Sequence, residues 1–166
     1  APMLKRIKIA SGCIARHDLL KAAAKSHLPV ILSTGMATYA DIREALGVLG
    51  MTPTTLLHCT SAYPCPLPEV NLKAMQAMRI LGCPIGYSDH TVHAIVPCYA
   101  VAMGASVIEA HITLDASQAG PDHKASYSSS HFISLVRHIR EVETIMGTPE
   151  KRVQPSEAEC YKAWRT

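Results

Sequence analysis

The sequence offers almost nothing for stacking on a nucleic-acid base: among 166 residues there is one Phe and one Trp. It also has no run of basic residues, and its formal charge of +3 is spread along the chain. A basic stripe interleaved with aromatics is therefore missing, which excludes nucleic acid as the expected partner. Most lysines and arginines read as solvated helix faces. No apolar run is long enough to span a bilayer, because His, Ser, Asp and Pro interrupt every candidate, and no membrane partner is expected. The six cysteines, at 13, 59, 65, 83, 98 and 160, include no C-x-x-C pair. With no secretory leader and a chain too large to need disulfide staples, they read as reduced thiols of a cytoplasmic protein.

What is present is apolar bulk and a rhythm. Hydrophobic residues make up 48% of the chain, enough to bury one core. Apolar, β-branched segments lie at Ile7–Ala10, Val30–Ser33, Thr54–His58, Ile85–Tyr87 and Val107–Ile112. Helical patterns fall between them at His17–Ser26, Ala40–Leu49, Leu72–Ile80 and Ala94–Met103, and a last helix spans about His131–Met146. Alternation of this kind predicts an α/β fold with a parallel sheet covered by helices. Thr38 with Asp41 predicts an N-cap, and Gly104 and Gly147 stand where C-terminal caps belong. After Gly147 the tail holds Pro149, Pro155 and several charges, and reads as an exposed extension.

In parallel α/β proteins chemistry gathers at the carboxyl ends of the strands. All five segments end in reactive clusters: Ser11-Gly12, Ser33-Thr34-Gly35, His58-Cys59-Thr60-Ser61, Ser88-Asp89-His90 and Glu109-Ala110-His111. Any one of them alone is most simply a satisfied strand-to-helix turn; five at equivalent points suggest a site. His90 and His111 stand on consecutive strands, close enough for two imidazoles to reach one ion if those strands pair. Two nitrogens with hydroxyls and carboxylates nearby suit an open divalent-metal site better than a closed zinc site. The competing reading for each His is a hydrogen-bonded structural residue. Cys59 beside His58 suggests thiolate zinc or a Cys–His nucleophile, but its setting favours a small buried thiol.

An ordered set of motifs then points to a family. K-I-A-S at Lys8–Ser11, I-L-S-T-G-M at Ile31–Met36, L-L-H-C-T-S-x-Y-P at Leu56–Pro64 and N-L at Asn71-Leu72 are followed by G-Y-S-D-H-T at Gly86–Thr91, I-E-x-H-x-T-L-D at Ile108–Asp115 and G-P-D-H-K-A-S at Gly120–Ser126. Together they resemble the sialic acid synthases over about Lys8 to Glu157. The resemblance implies an enzyme that condenses phosphoenolpyruvate with N-acetylmannosamine, or a related amino sugar, to a nonulosonic acid and phosphate. It implies a TIM-type (β/α)8 barrel and a divalent metal, commonly manganese, with magnesium or cobalt as alternatives.

Carried onto this chain, the resemblance makes His90 and His111 the metal ligands. Lys8, Ser11, Ser33 and Ser88 become phosphoenolpyruvate-binding groups, Tyr63 and Asp122 hold the amino sugar, and Glu109 is the proton-transfer candidate. By motif order the five βα units resemble strands four to eight of the barrel, giving a partial TIM-barrel domain over residues 1–147 and an extension over 148–166. Three preceding βα units of the family pattern and its following antifreeze-like domain have no counterpart here. The expected assembly is therefore a homo-oligomer, or completion by the missing barrel strands. Ala110 stands where the family usually has Lys or Arg, and Ala62 where many sialate synthases have Glu, which leaves legionaminate or pseudaminate synthesis as alternatives. A catalytically silent fragment acting as an assembly module is the reading from another class.

Overall fold

A computed structural model describes residues 4–165. Five strands, β1 (Ile7–Ile9), β2 (Val30–Ser33), β3 (Thr54–His58), β4 (Ile85–Asp89) and β5 (Ile108–Ala110), form one sheet in sequential order, every pair parallel. Helices α1 (His17–Lys25), α2 (Tyr39–Leu49), α3 (Leu72–Ala77) and α4 (Ile95–Ala102) make the crossovers, and α5 (Ser129–Met146) follows the last of the five strands. The protein is thus five consecutive units of a parallel (β/α) barrel, an α/β half-barrel.

The two-residue period of the strands divides them between two faces. Ile9, Leu32, Leu56, Ile85 and Tyr87 pack with Leu20, Ile42, Leu49 and Met75 of the helices, forming the main core. Lys8, Ser33, Leu57, Ser88 and Glu109, the residues out of phase with these, belong to the other face. That face is concave. Laid flat, five strands would separate β1 from β5 by about 19 Å, yet Lys8 of β1 and Glu109 of β5 meet at 3.2 Å. Lys and Glu side chains together reach about 10 Å, so the sheet must curl to bring its two edge strands within range.

Gly86 permits the tightest part of that curl. A Cβ there would collide with the Val107 carbonyl oxygen and the Leu57 side chain. Gly86→Ala is expected to destabilise the fold by about 1–3 kcal/mol through overpacking; an unchanged urea midpoint would show that β4 and β5 can separate freely.

Local chemistry sets the helix ends. Thr38 caps α2 in a reciprocal box with Asp41, and Ser128 caps α5 by accepting from the His131 N–H. The expected single strand Val107–Ile112 is instead broken at His111. Ile112–Thr113 forms β6, which pairs in parallel with β7 (Tyr127–Ser128) as a separate two-stranded sheet. The expected helix Leu72–Ile80 is α-helical only to Ala77 and then tightens to a 3₁₀ turn over Met78–Leu81. Beyond Gly147 the described residues are all exposed, and they carry a helix that the prolines did not suggest, α6 (Ala158–Arg165). Pro155 opens the turn before it, and Gln154 with Glu157 forms the cap. Among the described residues no helix is long and apolar enough to cross a membrane.

Candidate active site

The site lies at the carboxyl ends of the strands, where the structure gathers most of the expected residues into three groups, two of them joined through Ser88. The first is ionic. Lys8 Nζ lies 3.2 Å from Glu109 Oε2, and the Ser88 hydroxyl donates to Glu109 Oε1 at 2.8 Å. Both charged side chains are one-third exposed, so the pair is open to water and its net strength is modest.

The second group is built on the two histidines. Their ring centroids lie 5.6 Å apart with the planes at 86°. Tyr63 lies over both, 4.2 Å from the His90 centroid and 5.6 Å from that of His111. Asp122 reaches in from the loop after β6, its Oδ2 at 3.9 Å from His111 Nδ1. Ser88 Oγ stands 3.3 Å from His90 Nε2 and so joins this group to the first. His90 Nδ1 lies 2.7 Å from the Thr60 carbonyl oxygen, an acceptor only, which places the ring proton on Nδ1 and leaves a lone pair on Nε2. Burial pushes the His90 pKa down, and the neighbouring His111 adds to this, against the opposing pull of the Thr60 carbonyl and nearby carboxylates. Burial likewise raises the Tyr63 phenol, with Cys59, Asp122 and Glu109 contributing.

A metal at this point is compatible with the donors present. An imidazole bound at about 2.1 Å has its centroid about 3.2 Å from the ion, so two rings ligating one ion in angular coordination stand at about the spacing observed. Carbonyl support at Nδ1 is the usual arrangement behind a ligating Nε2. Among the described residues no group of three or more His, Cys, Asp or Glu could hold a metal ion. His90 and His111 are the two residues that would hold such an ion.

The third group is a cradle of small polar side chains. Gly35 N–H donates to Ser11 Oγ at 2.9 Å, and Ser11 Oγ lies 3.3 Å from Cys59 Sγ. A Cβ at Gly35 would run into Ser61 Oγ, Cys59 Sγ and Ser11 Oγ, so glycine keeps this space open. Ser33 is 3% exposed, and its hydroxyl has no hydrogen-bond partner; nor does the buried hydroxyl of Ser61. Two buried hydroxyls without partners, of which Ser61 Oγ lies against Gly35, are costly for folding alone. The Ser33 side chain makes no hydrogen bond at all, and Tyr63, His111 and Asp122 join the site through ring contacts and a 3.9 Å charge pair rather than hydrogen bonds. Cys59 is a buried thiol, as its setting suggested.

Sequence reasoning singled out neither Ser61 nor Thr60, although both lie in the His58–Ser61 cluster. Thr60 acts through its backbone carbonyl, for which its residue type gives no signal. Asp89 was visible between Ser88 and His90, but its alternation places it on the helix-packed side, and its partner Tyr127 is 38 residues away.

Comparison with known proteins assigns the chain. The model of the NeuB family matches residues 1–151. The chain belongs to the NeuB family. It is 46% identical to the N,N'-diacetyllegionaminic acid synthase of Campylobacter jejuni, over 93% of this chain and 48% of that protein. Identity to human N-acetylneuraminate-9-phosphate synthase is 36%, over 92% of this chain and 44% of that one. The crystal structure of the N-acetylneuraminic acid synthetase of Leptospira borgpetersenii in complex with citrate superposes with a TM-score of 0.88 at 36% identity, over 99% of this chain and 59% of that one. The chain spans about half the length of the curated NeuB-family relatives it matches.

Proposed function

We propose that this chain is the catalytic segment, strands four to eight, of a nonulosonic acid synthase that joins phosphoenolpyruvate to N-acetylmannosamine or a related N-acetylated amino sugar. The observation that carries the reading is the juxtaposition of the histidine pair, the Lys8–Glu109–Ser88 group and the cradle with unpartnered Ser33 and Ser61 hydroxyls at one end of the sheet. A second reading for the sugar, an N,N'-diacetylated legionaminate precursor, is favoured by the 46% identity to the C. jejuni synthase against 36% to the human enzyme.

The chemistry asks for these side-chain types. C3 of phosphoenolpyruvate bonds to the aldehyde carbon of the open-chain sugar, whose oxygen takes a proton. Positive charge develops at C2, water adds there, and C–O cleavage releases phosphate and leaves the keto group. A divalent ion held by His90 and His111, manganese above magnesium or cobalt, would supply Lewis acidity toward the sugar aldehyde. Lys8, Ser11, Ser33 and Ser88 present one ammonium and three hydroxyls to a phosphate dianion. Glu109 accepts from Lys8 and Ser88, so it is set up as an acceptor for the proton lost by the attacking water. Tyr63 and Asp122 border the histidines from the solvent side, where the sugar would enter.

The test joins this chain to the three missing βα units of a relative and follows phosphate release with N-acetylmannosamine and with its diacetylated analogues, identifying the product by mass spectrometry. No phosphate release with any amino sugar would sink the reading. In the same protein, Lys8→Met is expected to raise the KM for phosphoenolpyruvate by about tenfold or more while moving that for the sugar little. It removes a charge-assisted contact worth about 1.5–3 kcal/mol. Equal effects on both substrates would mean that Lys8 serves only to bridge the sheet edges.

A further inference from the structure

Both histidine-bearing strand ends are tied to one residue that lies outside the proposed substrate site, one through its side chain and the other through its backbone. Tyr127, the first residue of β7, is 2% exposed, and its backbone N–H donates to the His111 carbonyl at 2.8 Å. Its phenol donates to Asp89 Oδ2 at 2.6 Å. Asp89 immediately precedes His90 and is 1% exposed. Its second oxygen, Oδ1, accepts from the Thr91 N–H at 3.1 Å, the Thr91 hydroxyl at 2.7 Å and the Tyr87 phenol at 3.3 Å. This carboxylate therefore clasps the turn on the far side of His90. The turn needs such a clasp, because Val92 sits at φ 55, a left-handed conformation that a β-branched residue keeps only when its surroundings impose it.

We propose that Tyr127 is a positioning residue: through Asp89 and the His111 carbonyl it sets His90 against His111, and it anchors the returning end of the loop that carries Asp122. The direct β4–β5 pairing and the Ser88–Glu109 hydrogen bond join the two segments from within the sheet and its concave side; Tyr127 adds a tie from β7, linking Asp89 to the His111 carbonyl. The Tyr87 phenol bonds the same carboxylate but belongs to β4 itself, so it braces the turn without joining it to β7. Loss of the Tyr127 hydroxyl leaves Asp89 Oδ2 buried without its donor, while Oδ1 keeps all of its own. The defect is thus directed at the tie between the two segments.

The consequence for ligand binding rests on the proposed reading of the histidines as metal ligands; the mechanical tie does not. The experiment separates them by comparing Tyr127→Phe with Tyr87→Phe. Amide hydrogen exchange and histidine ring nitrogen chemical shifts report the tie, and titration with manganese alone reports its consequence. In Tyr127→Phe, exchange at the Tyr127 amide and across residues 112–126 should speed by about tenfold, with the His90 and His111 ring signals displaced and the β2 and β3 core amides unchanged. Manganese affinity should fall severalfold, less than the roughly tenfold or more that loss of a direct hydrogen-bond partner of a ligating ring costs, because the phenol acts through Asp89. Tyr87→Phe should leave residues 112–126 protected. Unchanged exchange and ring signals in Tyr127→Phe, or equal effects of the two substitutions, would overturn the proposal. If the unsubstituted chain binds no manganese while the exchange pattern holds, the tie stands and the metal reading falls.

Discussion

Residues 1–166 expressed alone, with manganese, phosphoenolpyruvate and N-acetylmannosamine, should release phosphate at least about a thousandfold more slowly than the same chain joined to the three missing βα units. The reason lies in the two edge strands. β1 and β5 each have one partner in the five-stranded sheet, and the Lys8–Glu109 pair that spans the gap between them is one-third exposed. Charges aimed at a transition state lose most of their effect when bulk water screens them. A shortfall of about 4 kcal/mol in transition-state stabilisation is a factor of about a thousand in rate. An apolar groove along β5, lined by Ile108, Ala110, Phe132, Leu135 and Val136, adds surface that a closed barrel would cover. Adding the first three βα units of a relative as a separate polypeptide should recover part of the rate. Full turnover by the 166-residue chain, as a confirmed monomer, would show that half a barrel encloses the reaction adequately.

The strands and helices were legible because each carries its own period. Leu32 and Leu56 alternate with Ser33 and Leu57, and that alternation alone separates the helix-packed side from the concave side. Thr38 and Asp41 announce α2 because their cap is made within four residues. The break at His111 was hidden for the opposite reason. The run Val107–Ile112 opens and closes on β-branched apolar residues with no Gly or Pro between them, and the Tyr127 N–H that bonds the His111 carbonyl at the break comes from 16 residues downstream. The 3₁₀ ending after Ala77 has the same character, since Leu72–Ile80 keeps a helical pattern across it. α6 was missed because Pro149 and Pro155 read as breakers, whereas Pro155 stands where proline opens a helical turn.

The candidate site was legible wherever residue type carries the chemistry, as with His90, His111, Lys8, Glu109 and Tyr63. Ser33 entered as a phosphoenolpyruvate-binding group implied by the motif resemblance, and only the structure reveals that its buried hydroxyl has no partner. Thr60 could not be found from sequence, because it contributes a carbonyl that every residue possesses. Motif order supplied what periodicity cannot, namely the expectation that the five units are strands four to eight of a larger barrel; the family match over residues 1–151 assigns the family.

Replacing either histidine by alanine should lower manganese affinity by more than about a hundredfold, beyond the usual effect of losing a supporting group behind a ligand. Among the described residues no set of three or more His, Cys, Asp or Glu is placed to hold a metal ion, so the loss of one ring is not made good by a third ligand. The two variants should differ in stability, however. His111 is part-exposed, with its Nδ1 3.9 Å from the exposed Asp122 carboxylate, so its removal should cost little. His90 is buried, donates to the Thr60 carbonyl and packs against Tyr63, so His90→Ala strands a carbonyl and opens a gap at about 1–3 kcal/mol. Urea unfolding of the metal-free proteins would separate this cost from the loss of binding. A stable His111→Ala chain that no longer takes up manganese would identify His111 as a ligand rather than a structural residue. Unchanged metal content in both variants would remove the histidine pair from the mechanism and leave the Lys8, Ser88 and Glu109 group as the chemistry to be explained.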